Sequence, residues 1–539
     1  MKKILITFYL SLFTFFLFAQ VWNKVGTGVA GGCVALGIYQ DELYFGGGYY
    51  TFTGIGKWDG SVWTGLDTTS GPVYCFLEFN NDLYVGGGFT NIQGVGYGIA
   101  KWNGTQWVSL GSGTNGATTY IKDLAVFNGQ VYASGRFWNI SGLNTRGIAK
   151  WNGTNWSAVG GGLQGCGNYP CAQAMANFKN NLFVGGEVCI AGTLPVNCIA
   201  RWNGTTWDSL GSGVNSNVNA MVIDTINNFL YLSGLFIQTG GKDAWSVAKW
   251  DGFEMDSVGK PFGHGKTCME MYHGQLYVGG YAGQGGINDT ILIRWDGKQW
   301  HNVIGTLSSL EALQVYKEKL YIGGGYFMVG NDSVIGIAAY SAPWDTNCNF
   351  LQSIIKTMHS LTVPNGVADT FYYSDSVKVQ FYNNIQSAAM WQWDFGDGDT
   401  GAGQTPYHYY NTAGTYNISV IVNYPWGPYG ACIDTAYKTI TILYGTGLEE
   451  YTKEKLNFKL YPNPTTGNIT VECTIPGKDK SELRAFSSYG SLQEAYPLQP
   501  GYNKIEIPAG KWDSGVSIIG LYVNGKQMLA EKVVKLVDY

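Results

Sequence analysis

The chain has 539 residues and a formal net charge of −5, and only 13% of its residues are charged. Glycine contributes 77 residues, aromatic residues make up 15% and hydrophobic residues 45%. This composition excludes a disordered or collagen-like chain, and without a basic excess nucleic acid is a poor partner. Many glycines and aromatics with few charges indicate a large all-β protein of several domains.

The N-terminus has the pattern of a secretory signal peptide. Lys2 and Lys3 precede an apolar run over residues 4–18, and Ala19 is a small residue suited to cleavage. The alternative is an uncleaved anchor, but the run has about 15 residues and a membrane span needs about 20. We therefore predict a signal peptide at 1–19, export through the periplasm, and no transmembrane segment after cleavage.

One phrase recurs seven times downstream of this segment. It consists of an aromatic residue, one further residue and then Gly-Gly or Ser-Gly, at a mean spacing of about 46 residues. A fixed period in this range is typical of solenoids, propellers and repeat arrays. The aromatic positions are Tyr44, Tyr84, Tyr132, Phe183, Tyr231, Tyr277 and Tyr321.

A second phrase, Trp-Asn-Gly or Trp-Asp-Gly, follows each of the first six copies. Asn-Gly and Asp-Gly accept the positive φ angles of tight hairpin turns, so each copy predicts a chain reversal, as at Asn103-Gly104 between Trp102 and Trp107. Each unit thus offers about four short strands and no amphipathic helix. Four strands per unit are typical of a propeller blade.

The two ends of the repeat array leave one strand each without a partner. Trp22 begins a strand that no strand precedes, and Tyr340 ends a strand that no strand follows. Pairing them would remove two open strand edges. The sequence therefore predicts a seven-bladed β-propeller over residues 20–342, with residues 21–26 completing the last blade.

This order of phrases resembles kelch-type propellers and the repeats of fungal cortical-marker proteins of the Rax type. The resemblance covers about residues 21–342. It departs from kelch where Trp102-Asn103-Gly104 stands in place of a Tyr-Asp pair. It implies the fold alone, because propellers host unrelated functions.

Residues 346–444 change character. The segment 391–399 reads WQWDFGDGD, and HYY at His408 and then GTYNISV follow it. This pattern resembles a polycystic-kidney-disease (PKD) domain, which implies an Ig-like β-sandwich with Trp393 in its core. Its acidic turn offers ligands for a calcium ion, the one cofactor we consider, and the alternative is a polar turn without metal. The candidate ligands are Asp394, Asp397 and Asp399.

The last segment, residues 456–539, contains YPNPTTG, then a Ser-Gly to Tyr-Val stretch, then KVVK. It resembles the type A C-terminal sorting domain of the Bacteroidota type IX secretion system. The resemblance implies a second Ig-like β-sandwich, export by the Sec route, and recognition by the type IX machinery. Residues 445–455 are polar and charged and are interpreted as a linker. The motif residues are Tyr461, Pro462, Asn463, Pro464, Gly467, Gly515, Tyr522, Lys532 and Lys535.

Ten cysteines are present, and an even number outside the cytosol permits disulfides. None of their spacings matches a zinc site, and the alternative to disulfides is buried free thiols. Two pairs are close enough in sequence to bridge loops, and a third pair flanks the PKD-like module. These pairs are Cys166–Cys171, Cys189–Cys198 and Cys348–Cys432.

No catalytic constellation is recognised. The chain has five histidines, none at metal-ligand spacing, and it lacks nucleophile-elbow, HExxH and phosphate-loop motifs. We expect a secreted or cell-surface binding or adhesion protein whose propeller recognises a polysaccharide or cell-surface glycan. The longest inserts, around 161–171 and 189–198, are the best candidates for its binding face. The alternative is a secreted polysaccharide-acting hydrolase or lyase with a propeller catalytic domain.

Overall fold

The structure is a computed structural model. The predicted signal peptide at 1–19 and the linker at 445–455 lie outside the residues that it describes. The described residues are 21–26, 28–29, 32–48, 54–114, 116, 118–167, 169–261, 266–280, 290–305, 309–329, 332–343, 347–358, 369–373, 377–425, 430–444, 456–465, 467–475, 480–486, 492–508, 512, 515–523 and 526–535.

Two compact units divide the chain. The first spans residues up to 370 together with 378–410 and 415–441, and the second comprises 371–377, 411–414 and 442–539. Every regular element in the described ranges is a β-strand, which confirms the all-β class.

Residues 21–341, as far as the structure describes them, hold seven four-stranded antiparallel sheets. The first strands are β2 Cys33–Tyr39, β6 Val73–Phe79, β10 Tyr120–Phe127, β17 Ala172–Phe178, β23 Val218–Asp224, β29 Lys266–Tyr272 and β33 Leu310–Tyr316. The second strands are β3 Glu42–Gly47, β7 Asp82–Gly87, β11 Gln130–Arg136, β18 Asn181–Gly186, β24 Phe229–Gly234, β30 Gln275–Gly280 and β34 Lys319–Val329. The third strands are β4 Gly54–Trp58, β8 Ile99–Trp102, β14 Ile148–Trp151, β21 Ile199–Trp202, β27 Val247–Trp250, β31 Thr290–Trp295 and β35 Asp332–Ser341. The fourth strands are β5 Trp63–Thr68, β9 Trp107–Ser109, β15 Trp156–Ala158, β22 Trp207–Ser209, β28 Met255–Ser257, β32 Trp300–Gly305 and β1 Val21–Lys24.

Short extra strands occur between the second and third strands of three sheets and before the fourth sheet. They form two small hairpins and one three-stranded sheet of order β16-β19-β20. Their bounds are β12 Asn139–Ile140, β13 Leu143–Asn144, β16 Leu163–Gly165, β19 Val188–Ala191, β20 Leu194–Pro195, β25 Gln238–Thr239 and β26 Lys242–Asp243.

The Trp-Asn-Gly phrase reverses the chain as predicted, but by a different turn. Trp102 pairs with Trp107, so four residues form the loop, and only Gly104 among them has a positive φ. Asn103 acts through its side chain: its Oδ1 accepts the backbone N–H groups of Thr105 and Gln106. The expectation of positive φ at Asn was therefore wrong, because the Asn side chain substitutes for backbone turn bonding.

The Gly-Gly phrase lies where consecutive sheets meet. A Cβ atom added at Gly46 would lie 2.8 Å from Val73 on the first strand of the next sheet. The same contact joins Gly86 to Ile121. It also joins the last sheet to the first, since a Cβ at Gly323 would lie 2.6 Å from the Cys33 sulfur. A glycine is needed at these positions because any side chain would collide with the neighbouring sheet.

The last sheet has the order β1-β35-β34-β33, so its fourth strand comes from the other end of the repeat array. Trp22 pairs with Tyr340, which confirms the predicted partnership, and their ring centroids are 4.7 Å apart. The Tyr340 side chain is fully buried. β1 thereby covers the edge of β35, which would otherwise offer unpaired backbone groups.

The first unit continues into a two-sheet sandwich. One sheet has the order β36-β38-β41, and the other contains β43, β42, β39 and β40 in that order. Trp393 and Phe395 are buried between them, as predicted for Trp393. The bounds are β36 Ile355–Met358, β37 Thr370–Tyr373, β38 Val377–Asn383, β39 Met390–Asp394, β40 Thr400–Ala402, β41 Tyr407–Tyr410, β42 Gly414–Pro425 and β43 Ala431–Tyr444.

The second unit is also a sandwich, with sheets of order β44-β45-β48 and β47-β46-β49-β50. Its core is built from alternating apolar residues such as Ile469, Val471 and Cys473 on one strand. The bounds are β44 Lys459–Tyr461, β45 Ile469–Ile475, β46 Ser481–Phe486, β47 Leu492–Leu498, β48 Gly501–Ile507, β49 Gly515–Val523 and β50 Lys526–Lys535.

Removal of β1 tests the closing strand. A protein that begins at Val25 should unfold at a lower temperature than one that begins at Gln20, and it should self-associate because the edge of β35 is open. Thermal unfolding and size-exclusion chromatography would measure both effects. Val21→Thr is the matched control, since Val21 is 44% exposed. Equal melting temperatures and a monomeric shortened protein would contradict the role given to β1.

Candidate functional site

The loops between second and third strands lie at the same end of the sheets as the connections from one sheet to the next, because successive strands run antiparallel. At this end the second, third and fourth sheets bring together six side chains, which we call the aromatic–cationic cluster. Its members are Tyr74, Tyr120, Lys122, Arg136, Trp138 and Tyr169.

A β-bulge places two of these residues. All seven first strands have one irregularity in register near their start, and in the third sheet it lies between Ile121 and Asp123. The bulge leaves one residue without a partner, which is Tyr74 in the second sheet and Lys122 in the third. Bulges re-aim side chains and often lie next to binding sites.

The rings of the cluster form two pairs, and Arg136 lies between them. Tyr74 and Tyr120 meet edge to face with centroids 5.5 Å apart, and Tyr120 pairs across the strands with Arg136. Trp138 and Tyr169 have centroids 6.3 Å apart, and 40% and 48% of these residues are exposed. Exposed neighbouring rings of this size are a common feature of binding surfaces.

Both cations stand over rings. The Lys122 Nζ lies 4.7 Å from the centroid of Tyr74, and the Arg136 Cζ lies 4.5 Å from that of Tyr169. Sequence reasoning named none of the six residues, although Tyr169 lies in the insert 161–171 that it predicted as part of a binding face. A signal for Arg136 was present, since it follows the Gly of its phrase where several copies have a further Gly.

A disulfide holds the loop that carries Tyr169, and it corrects the predicted pairing. Cys166 bonds to Cys189, so Cys166–Cys171 and Cys189–Cys198 do not form, and Cys171 and Cys198 are free thiols. The two long inserts predicted to form a face are thereby joined to each other, and β16 pairs with β19. Closing a loop of this length stabilises the fold by about 3 kcal/mol in the chain-entropy account.

The sandwich contacts the opposite end of the sheets. Asn227, in the turn between β23 and β24, donates to the Phe350 carbonyl at 2.9 Å and accepts from the Gln352 N–H at 2.8 Å. Its own carbonyl accepts from Asn384 Nδ2 at 2.9 Å, and Asn228 bonds the Tyr382 hydroxyl at 3.0 Å. Among the described residues, these contacts of the sandwich lie at the end of the sheets opposite the aromatic–cationic cluster.

A groove of about 710 Å³ lies beside this junction and is lined by charged residues. Its charges are paired within the protein: Lys356 bonds Asp251 at 2.9 Å and also Glu254, and Lys438 bonds Asp369 at 2.6 Å. Lys356 and Asp251 are 8% and 7% exposed. This pairing indicates that the groove is part of the junction rather than a ligand site.

The titration of Lys356 follows from these partners. Burial lowers its pKa, but the hydrogen bond that Lys356 donates to Glu254 and the charge of Asp251 outweigh burial, so the pKa lies above its ordinary value of 10.5. The ion pair therefore contributes its full stability below pH 10.5 and loses it as the pH rises through the higher folded-state pKa.

The Cys348–Cys432 disulfide that the sequence suggested is present in the structure. Cys348 lies just before Phe350, which packs against Gly274 in a turn of the sixth sheet. The bond therefore ties the segment that enters the sandwich to β43.

The acidic turn of the sandwich holds a different set of ligands from the predicted one. Asp397, Asp399 and His408 place one ligand atom each within 4.8 Å of one another, whereas the Asp394 Oδ1 accepts the Gly396 N–H at 2.8 Å. His408 Nε2 lies 2.7 Å from Asp397 Oδ2 and the ring stacks on Phe395. Two of the three predicted ligands, Asp397 and Asp399, thus lie together with His408, and Asp394 caps the turn outside this group.

Contacts within this turn favour the charged form of the Asp397 carboxylate. Burial raises its pKa, but the His408 hydrogen bond and the Asp399 N–H outweigh burial, so the pKa lies below its ordinary value. The His–Asp contact alone accounts for the arrangement, and calcium binding there stays a prediction.

In the second unit, the YPNPTTG and KVVK motifs contact each other. Asn463 donates through Nδ2 to the Lys532 carbonyl at 2.7 Å and accepts from the Val534 N–H at 2.9 Å. Thr465 N–H donates to the Val534 carbonyl at 2.8 Å, and Lys535 Nζ donates to the Trp512 carbonyl at 2.6 Å. Gly515 pairs with Lys535. Motif residues some 70 positions apart in the chain thus form one local structure.

Comparison with known proteins identifies part of the first unit. The PKD domain family matches residues 374–439, which confirms the PKD prediction within the proposed range of 346–444. No curated protein sequence matches the chain.

Solved structures show only distant similarity. The extracellular domain of BT4673 from B. thetaiotaomicron, described as a one-component system, is 12% identical with a TM-score of 0.38, and the match covers 80% of this chain and 59% of that one. The computationally designed protein Ika8 is 16% identical with a TM-score of 0.37, covering 59% of this chain and 100% of the design. A Ca²⁺-stabilized adhesin of an Antarctic bacterium is 10% identical with a TM-score of 0.15, covering 84% and 94%. At these TM-scores the similarities carry no functional argument.

Within the described ranges, the structure has no helix with the length and apolar character to span a membrane.

The junction can be tested through Lys356. Lys356→Met leaves Asp251 buried without its partner and should destabilise the first unit by about 3 kcal/mol, while Lys356→Met with Asp251→Leu should recover much of the loss. Chemical denaturation at pH 7 measures both values. Lys242→Met is the matched control, because Lys242 and its partner Asp256 are exposed. Equal stabilities of wild type and Lys356→Met would contradict the assigned contact.

Proposed function

We propose that the seven sheets are the blades of a closed seven-bladed β-propeller spanning residues 20–342. The contact of Gly323 with Cys33 and the pairing of β1 with β35 support closure, since they join the last sheet to the first and to the N-terminal strand. A closed ring packs both faces of every sheet against a neighbour and leaves only short, protected edges.

On this scaffold we propose a secreted or cell-surface binding protein that recognises a polysaccharide or cell-surface glycan. The observation that carries the proposal is the exposed pair Trp138 and Tyr169, and a disulfide holds the loop of Tyr169. Aromatic faces suit the apolar face of a sugar ring, and a loop fixed before binding loses little conformational entropy on binding. The adjacent cations and the location of the cluster opposite the sandwich contacts favour the same surface.

We further propose export by the Sec route and then by the type IX secretion system, with residues 456–539 as the sorting domain. The contact between the Asn463 motif and the Lys532–Lys535 strand supports this, because both halves of the resemblance join in one local structure. The PKD domain lies between the binding domain and this tail along the chain.

Substitution of the ring pair tests recognition. Trp138→Ala and Tyr169→Ala should each weaken binding of the full secreted protein on a glycan array by at least about tenfold, as expected of aromatic anchors. Tyr437→Ala is the matched control, since Tyr437 is 78% exposed on the PKD domain. Unchanged array signals in both cluster variants would overturn the site. Reproducible turnover of a polysaccharide would favour the hydrolase or lyase alternative.

Deletion of the tail tests export. A protein that ends before Leu456 should accumulate in the periplasm of a type IX-competent host, and the full chain should reach the surface or medium. Immunoblots of cell fractions measure the distribution. Tyr502→Ala within the tail, a 65% exposed residue outside the motif, serves as the control and should be exported normally. Normal release of the truncated protein would refute the sorting assignment.

A further inference from the structure

Two cations of the aromatic–cationic cluster stand where the other repeats have none. Arg136 occupies the position directly after the Gly-Gly or Ser-Gly phrase. Lys122 occupies the bulge of the first strand. The residues equivalent to Arg136 are Gly48, Gly88, Glu187, Leu235, Tyr281 and Gly325, and those equivalent to Lys122 are Val34, Tyr74, Gln173, Asn219, Thr267 and Glu311. A repeated fold does not need a cation at these positions, because six sister repeats form their sheets without one.

Neither cation forms an ion pair of the kind that several other basic residues of this protein form. Lys57 pairs with Glu42 at 2.9 Å and Lys101 pairs with Asp82 at 2.6 Å. Lys122 and Arg136 form no ion pair with any residue that the structure describes, and both lie over tyrosine rings instead. The Arg136 Nε is buried and has no hydrogen-bond partner among those residues. A guanidinium without a carboxylate partner keeps its charge available to an anionic ligand.

The carboxyl groups of this region do not neutralise the pair. Asp123, next to Lys122, accepts the N–H groups of Met175 at 2.6 Å and Leu124 at 2.8 Å. Burial raises the pKa of Asp123 to about 7, so this carboxyl is partly protonated at neutral pH. Glu187 is exposed, with its own N–H bonded to the Cys171 carbonyl. The cluster is therefore cationic within a protein whose net charge is −5.

Neutral hydrogen-bonding groups complete the surroundings. The Tyr120 hydroxyl lies 3.9 Å from the Cys171 sulfur, and Gln173 Nε2 lies 2.8 Å from the same sulfur. A polar amide and a hydroxyl beside aromatic rings suit a hydroxyl-rich ligand.

We infer that the glycan bound by the aromatic–cationic cluster is anionic, a chain whose sugars carry carboxylate or sulfate groups. The inference rests on the proposed glycan-binding function and names its ligand class. The tyrosine and tryptophan rings take the apolar faces of the sugars, while Lys122 and Arg136 take the oxyanions. Arg136 suits this role because a guanidinium offers paired donors that match a carboxylate or sulfate.

Single-stranded nucleic acid also combines anions with surfaces that stack on aromatic rings. The structure favours the glycan because the cluster has two cations and the whole chain is acidic, whereas a nucleic-acid groove follows the phosphate backbone with several cations. Nucleic-acid binding is therefore an outcome that the test must include.

The experiment titrates the full secreted protein by calorimetry with four probes. These are polygalacturonate as the carboxylated chain, chondroitin sulfate as the sulfated chain, carboxyl-reduced polygalacturonate as its neutral match, and single-stranded oligothymidylate. The two charged glycans distinguish carboxylate from sulfate. We expect binding to at least one of them, at least about tenfold weaker binding to the neutral match, and weaker binding as NaCl rises.

Variants assign the effect to the cluster. Lys122→Gln and Arg136→Gln should each weaken binding to the charged chain by about tenfold, the loss expected of one charge-assisted hydrogen bond, and should leave the melting temperature near the wild-type value. Lys101→Gln, which removes a lysine already paired with Asp82, is the matched control and should bind like wild type. If the cluster variants also fail to fold, Lys122→Arg provides a charge-retaining comparison that should bind normally.

The outcomes separate the two levels of the proposal. Equal binding to charged and neutral chains would overturn the anionic ligand and keep glycan recognition. Binding to oligothymidylate above either charged glycan would overturn the ligand class. If the protein binds none of the four probes and also binds nothing on the glycan array, both the anionic ligand and glycan recognition are overturned.

Discussion

The structure depends on one close contact between consecutive sheets. In this contact a small residue on the second strand of one sheet meets an apolar residue on the first strand of the next. At Gly46 and Gly86 no side chain would fit, since Val73 and Ile121 occupy the space that a Cβ would need. The contact brings successive sheets near enough to exclude water from the apolar face between them. At Gly323 it joins the last sheet to Cys33 of the first. The small-residue phrase in the sequence is thus a requirement of sheet packing.

That constraint also separates the residues that serve the fold from those that do not. Positions that meet a neighbouring sheet repeat with little change, whereas the bulge position and the residue after the phrase change chemistry from one copy to the next. Lys122 and Arg136 lie at these two variable positions of one copy. The chemistry of the surface therefore varies on a scaffold whose packing stays the same, and variation inside a regular repeat is a guide to function.

The repeats made much of the fold predictable. Two features follow from the order of the phrases and from the cost of an open strand edge. They are the four strands of each sheet and the pairing of Trp22 with Tyr340. The tight turn was predicted for the wrong reason, because φ preferences do not show that the Asn103 side chain caps the loop. PKD recognition succeeded because its turn and core Trp are specific in sequence.

The candidate site was far less predictable. Sequence spacing favoured Cys166 with Cys171, but disulfide partners are set by which strands pair, and β16 pairs with β19. The cluster joins residues of three repeats, and the bulge that exposes Lys122 leaves no mark in the local sequence. In the sequence Asp394 looked equivalent to its acidic neighbours. The structure shows that its carboxylate caps the turn by accepting the Gly396 N–H.

The bonds of Asn227 and Lys356 at the far end of the sheets have a mechanical consequence. The hydrogen bonds of a buried side-chain amide and a buried ion pair hold the PKD domain against the sheets. This domain therefore cannot rotate freely relative to them. A force applied along the chain at the PKD domain would then be transmitted to the whole repeat array. It would act on several bonds at once rather than separate one strand from its sheet. Every copy of the molecule would then hold the aromatic–cationic cluster at one fixed orientation to its own PKD domain.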